Sequence, residues 1–222
     1  MQSQYRSRIN LNIYDSPECK SLATQAQAGR YLRMLSEDPS QQDSAVEVVC
    51  CEDNYGGWVR SGNLHLEQLE LAEQPYQALT LTRSEITPRL LQVIEFTQQA
   101  KLQPNEYLWG GTVAPNYDCS GLMQAAFAAA GIWLPRDAYQ QYDFTERVNL
   151  ESLQSGDLVF FGMSQKIDHV GLYLGRDQYI HSSGLTAGRN GIAIDLLKDE
   201  GDAIGRSIYQ RLQGFGRVMR SL

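Results

Sequence analysis

The hydrophobic positions change their period once along the chain, and that change divides it. Up to about residue 80, apolar and polar side chains alternate in short runs. Ile9, Leu11 and Ile13 do so in INLNIYDSP, and Val46, Val48 and Cys50 do so in AVEVVCCE. GRYLRMLS, GGWVR and NLHLEQLEL have the same texture. A period of two is that of a strand with one buried face. Turn residues separate the runs at Asp15-Ser16-Pro17 and Asn54-Tyr55-Gly56-Gly57. The expectation for residues 1–80 is a small all-β barrel. A polar stretch, EQPYQALTLTRSEITPR, then links this texture to a helical one.

From Thr87 the period lengthens. Leu90, Leu91, Ile94 and Phe96 predict a helix with Thr87 as N-cap and Pro88 in its first position. CSGLMQAAFAAAG predicts a second helix, stopped by Gly131. Four short strands follow, GDLVFFG, DHVGLYLG, QYIHSSG and GIAIDLL. Residues 85–222 therefore read as an α+β domain, with helices packed on an antiparallel sheet.

Composition narrows the partners. The 222 residues carry 19 basic and 26 acidic side chains, a formal charge of −7. No basic field is present to hold nucleic acid or an anionic membrane. The first 80 residues hold 6 basic and 11 acidic groups, −5 of that total. Cys19, Cys50, Cys51 and Cys119 are too few and too irregularly spaced for a disulfide framework or a paired zinc motif. MQSQYRSRIN lacks the apolar run of a secretory signal, and no stretch of about 18 apolar residues occurs. The expected setting is the reducing cytoplasm.

Cys119 opens the alanine-rich helix. A thiol there faces unpaired N–H groups and the positive end of the helix dipole, both of which favour the thiolate. Two of the three histidines, His169 and His181, fall in consecutive strand-like segments. If those strands are joined by a three-residue loop at Gly175-Arg176-Asp177, Leu174 faces Gln178 and His181 faces Gly171. Both imidazoles then leave the same face as diagonal neighbours, about 7–8 Å apart at the backbone. A two-residue loop would put them on opposite faces. The arrangement suits a nucleophile, a general base and a group that orients the base. A zinc site on Cys119, His169 and His181 is the competing reading.

DCSGL at 118–122, GDLVFFG at 156–162, DHVGLYLG at 168–175 and YIHSSG at 179–184 resemble, in order, the motifs of the NlpC-type cell-wall cysteine peptidases, a papain-like family. The resemblance covers about residues 85–222. The preceding 80 residues resemble a bacterial SH3-like domain, and the layout is similar to γ-D-glutamyl-L-diamino acid endopeptidases of cyanobacteria. It implies Cys119 as nucleophile, His169 as general base, His181 as the orienting third member and Tyr107 as a hydroxyl beside the oxyanion. It implies hydrolysis of the amide between D-Glu and a diamino acid in a muropeptide or stem peptide, with no cofactor. A monomer fits this picture.

A free N-terminal L-Ala on such a peptide needs an acidic partner, for which Asp118 is the first candidate, with Ser120 beside it. Asp118 is equally suited to capping its helix. Tyr55 would close the pocket from the first domain, or stand exposed beside its turn. Arg136 would hold a substrate carboxylate, or pair with Asp137 or Asp143. Trp109 and Trp133 read as packing residues, and His65 as a histidine without a partner. The alternatives are a muramoyl-L-alanine amidase or acyl transferase on the same scaffold, or an inert module that binds wall peptides.

Overall fold

A computed structural model describes residues 3–35, 45–60, 68–164 and 166–222. His65 and the first half of NLHLEQLEL lie outside the described residues. The first part of the chain forms β1 (Gln4–Ser7), β2 (Leu11–Tyr14), β3 (Leu22–Ala26), β4 (Tyr31–Met34), β5 (Ala45–Cys50), β6 (Gly56–Arg60) and β7 (Leu69–Leu71). These make one antiparallel sheet in the order β3-β2-β6-β5-β4-β1-β7. The alternating residues meet as expected except Ile9, which precedes β2 and is exposed. Leu11, Ile13, Leu32, Val46, Val48, Cys50 and Val59 are all buried in one cluster. A sheet whose inner faces pack on one another must curl around its own core. The alternation pattern missed β1, whose residues QYRS are largely polar, and β3, whose LATQA buries Thr24 and Ala26 without an apolar–polar alternation.

The second part forms α1 (Arg83–Ile86), α2 (Leu90–Leu102), β8 (Thr112–Val113), β9 (Asn116–Tyr117), α3 (Cys119–Ala129), α4 (Ala138–Phe144), β10 (Glu146–Val148), β11 (Leu158–Met163), β12 (Lys166–Gly175), β13 (Gln178–Ser183), β14 (Gly191–Leu196), α5 (Ala203–Tyr209) and β15 (Leu212–Arg217). The helical region starts five residues before the predicted cap. Thr82 and Glu85 form a capping box, and Pro88 sits in a 3-10 turn at 87–89 that feeds α2. Thr82 has the N3 glutamate, Glu85, that completes this device, so it outcompetes Thr87 as the start.

The six-stranded sheet runs β10-β15-β11-β12-β13-β14, all antiparallel. The four predicted strands are its contiguous part, and β10 and β15 extend it. β11 is covered on both sides. Leu158 and Phe160 face α2 and α3, while Val159 and Phe161 join Tyr179, Ile208 and Phe215 on the other face.

The β12–β13 hairpin departs from the predicted loop without losing the predicted register. The loop has two residues, Arg176 and Asp177, both left-handed at φ 52° and 57°. That backbone is the usual two-residue hairpin turn. It sets Gly175 opposite Gln178, but a bulge between Tyr173 and Gly175 absorbs one residue. Beyond the bulge Tyr173 faces Tyr179 and Leu172 faces Ile180, the pairing that brings the histidines to one face.

Candidate active site

Cys119 lies at the first position of α3 because Asp118 caps that helix. Asp118 Oδ1 accepts the Gly121 N–H at 2.7 Å, and Oδ2 accepts the Gly110 N–H at 2.8 Å. The first turn presses closely on the Gly110-Gly111 loop. A Cβ on Gly121 would meet the Gly111 carbonyl oxygen at 2.0 Å, so this position accepts only glycine. The Cys119 side chain is thereby fixed against β12, with Sγ 4.0 Å from the Asp168 carbonyl.

His169 and His181 are buried and meet edge to face, with ring centroids 4.9 Å apart at 86°. His169 Nε2 lies 2.8 Å from His181 Nδ1, and His181 Nε2 lies 2.9 Å from Asp195 Oδ2. Both ring nitrogens of His181 are therefore engaged, and His169 keeps only Nδ1 free. Nothing of His181 is left to ligate a metal, and among the described residues no group of three ligand side chains is gathered for one. The phenolic ring of Tyr107 packs beside Gly184 at the end of β13. Its hydroxyl is held protonated by burial, then by the neighbouring Cys119 and Asp118. It remains a hydrogen-bond donor.

The electrostatics correct one expectation. Burial, with Asp118 adding to it, pushes the Cys119 thiol up to about 12, although the backbone N–H groups of Val170 and Ser120 pull the other way. Burial also holds His169 well below 6.5, helped by His181 and Arg211. Desolvation thus opposes the helix terminus at Cys119, and it favours the neutral form of both groups.

Asp118, Ser120 and Arg136 form one buried knot. Arg136 donates from Nη1 and Nη2 to the two oxygens of Asp118 at 3.1 and 2.6 Å, from Nη1 to Ser120 Oγ at 3.0 Å and from Nε to Thr24 Oγ1 at 2.9 Å. Its side chain is 2% exposed. This corrects the expectation that Arg136 takes a substrate carboxylate, because its fork is already filled and it neutralises Asp118. Asp118 does the capping, and its two oxygens are saturated.

The β-sheet domain completes the surroundings. Edge strand β3 is covered by β8, where Gln25 and Thr112 exchange backbone and side-chain hydrogen bonds. Arg30 stacks on Trp133 and pairs with Glu52 and Asp53, and Gln124 of α3 donates to Asp53 at 2.8 Å. Trp133 is thus a packing residue, as expected, while Trp109 is 70% exposed. Tyr55 reaches across this seam, its hydroxyl 3.4 Å from Asp137 Oδ1. Burial and then Asp137 push that hydroxyl up to about 12. Asp137, expected only as a partner of Arg136, meets Tyr55 instead, and Asp195 is an acidic group with no expected role. Asp195 had a readable signal, a carboxylate in phase with Ala193 on a strand otherwise apolar.

Residues 104–200 match the NlpC/P60 family, and residues 13–64 match the bacterial dipeptidyl-peptidase Sh3 domain. The chain is 40% identical over 112 residues to "Probable endopeptidase p60" of Listeria seeligeri, across 50% of this chain and 19% of that protein. It is 39% identical over 108 residues to the gamma-D-glutamyl-L-lysine dipeptidyl-peptidase of Bacillus subtilis, across 47% of this chain and 33% of that protein. These matches thus span only a fifth to a third of the curated relatives. In fold, the chain is similar to a crystal structure of an NlpC/P60 family protein from Bacillus cereus, with a TM-score of 0.52 and 24% identity over 98% of this chain and 64% of that one.

Proposed function

We propose that the chain, whose residues 104–200 match the NlpC/P60 family and whose residues 13–64 match the bacterial dipeptidyl-peptidase Sh3 domain, is a cysteine endopeptidase that cleaves the γ-D-glutamyl-L-diamino acid amide of peptidoglycan stem peptides bearing a free N-terminal L-Ala. The division proposed is a bacterial SH3-like β-barrel domain at 1–80 and an NlpC-type papain-like cysteine peptidase domain at 85–222. The observation that carries the reading is the 2.8 Å contact of His169 with His181, which leaves one imidazole nitrogen of His169 free on the strand against which Cys119 is held. The B. subtilis dipeptidyl-peptidase adds support by the bond in its name.

In this mechanism the neutral Cys119 thiol gives its proton to His169 Nδ1 as Sγ attacks the γ-carbonyl carbon. The oxyanion is met by the backbone N–H of Cys119 and the Tyr107 hydroxyl. The imidazolium passes its proton to the departing amine, and a thioester remains. Water, deprotonated by the same imidazole, hydrolyses it.

Charge balance supports the amine requirement. The seam between the domains holds the carboxylates of Glu52, Asp53, Asp118 and Asp137 against the guanidiniums of Arg30 and Arg136. The surplus is negative, and the partner it lacks is a cation. With Asp118 saturated, Asp137 is the acid that receives the L-Ala ammonium, with Tyr55 steering it, while Asp118, Ser120 and Arg136 form the rigid floor. Such an amine exists only on peptides already freed from the glycan. The activity therefore belongs to recycling of released peptides, in the cytoplasm, where a thiol nucleophile stays reduced. Incubating the protein with L-Ala-γ-D-Glu-meso-diaminopimelate tests it. Release of the free diamino acid is expected, and its absence under conditions where the protein is folded overturns the reading.

A further inference from the structure

The histidine pair does not end at His181. Asp195 Oδ2 receives His181 Nε2 at 2.9 Å, and Arg189, from the loop between β13 and β14, grips both oxygens of Asp195. Arg189 is held in turn by Asp202, the N-cap of α5, at 2.7 and 2.9 Å. Asp195 is 6% exposed and His181 fully buried.

A carboxylate only accepts, so it fixes the proton of His181 on Nε2. Nδ1 of His181 then presents a lone pair, and His169 must donate to it from Nε2. The remaining nitrogen of His169, Nδ1, is left as the base for the thiol. One carboxylate thus sets the tautomer of two rings.

We propose that Asp195, clamped by Arg189 and Asp202, is a positioning residue that orients the His181–His169 relay and stabilises the imidazolium formed when Cys119 loses its proton. This rests on the peptidase reading for its purpose, but its geometry is testable without substrate. The other charged groups facing the relay are Arg211, paired with Asp168 beside His169, and the Asp118–Arg136 pair beyond Cys119. Arg211 also acts on His169, and Arg189 offsets part of the charge of Asp195, but Asp195 is the carboxylate hydrogen-bonded to the rings. Tyr179 contributes a neutral ring against His181, with centroids 5.0 Å apart.

The test uses nitrogen-15 NMR of the histidines in the full chain, together with iodoacetamide alkylation of Cys119 across pH. In the wild type, His181 is expected as the Nε2–H tautomer. An Nδ1–H tautomer overturns the proposal with no variant needed. In Asp195→Asn, removal of the negative charge is expected to slow alkylation about tenfold and to move its acid limb down by about one pH unit, since an anion beside an imidazole favours its protonated form. Unchanged tautomer and pH profile in a folded Asp195→Asn protein also overturn it. If the wild type shows the expected tautomer and Asp195→Asn shows the limb shift, but the wild type cleaves no stem peptide, the relay stands and the peptidase reading fails.

Discussion

Two carboxylate–guanidinium pairs support the reactive trio, one beside Cys119 and one behind His181, and they are built from the same chemistry to opposite ends. Asp118 and Arg136 are closed on themselves. Every donor of Arg136 drawn into the knot ends on Asp118, Ser120 or Thr24, and the side chain is 2% exposed. Asp195 and Arg189 are open at both ends. Asp195 hands one oxygen to His181, and Arg189 reaches out to Asp202, whose side chain is 54% exposed. A closed pair holds architecture, here the junction between the two domains and the first turn of α3. An open one transmits orientation toward a reacting atom.

The comparison makes separable predictions. The largest effect is on chemistry: Cys119→Ala and His169→Ala should each lower kcat by about a thousandfold or more while the protein remains folded, read by product release and circular dichroism. Breaking the closed pair should instead cost stability. Arg136→Met leaves Asp118 charged and unpaired in the interior, a loss of about 3–5 kcal/mol by denaturant titration. An Arg136→Met protein as stable as the wild type would remove the distinction between the two pairs.

Between these lies the seam. Asp137→Asn should raise KM for a peptide with a free amine by about tenfold to a hundredfold, because a charged hydrogen bond is worth about 1.5–3 kcal/mol. The N-acetylated peptide should stay intact with the variant as with the wild type. Tyr55→Phe removes a neutral donor and should raise KM only a few-fold, about 0.5–1.5 kcal/mol. The smallest effect is on stability against pH. His169 is held below its ordinary value of 6.5. Below pH 6.5 the unfolded chain takes up a proton that the folded one refuses, so stability should fall with pH there, and His169→Gln should flatten that slope.

Why the reactive trio was legible and the rest was not comes down to distance in sequence. Cys119 follows an N-cap motif, and His169 and His181 are related by one hairpin, so local periodicity nearly suffices to bring them together. Even there the loop was misjudged, and the register survived because a bulge compensates for the shorter turn. Arg136 meets Asp118 only because the segment after α3 folds back 18 residues later, and Thr24 comes from the other domain, 112 residues away. No local pattern encodes those contacts. β15 escaped notice for another reason: LQGFGR carries two glycines, which blur the alternation, and its pairing with β11 supplies the order that its own sequence lacks. Desolvation at Cys119, which opposes the helix dipole, is likewise invisible in the sequence, because it arises only from the packed structure.

The central claim, a peptidase that demands a free amine, is tested most directly by mass spectrometry on two peptides that differ by one acetyl group. The account predicts that L-Ala-γ-D-Glu-meso-diaminopimelate yields L-Ala-D-Glu and free diaminopimelate, and that its N-acetylated form stays intact. Equal cleavage of both, or cleavage only at a muramoyl-L-alanine bond, would contradict it.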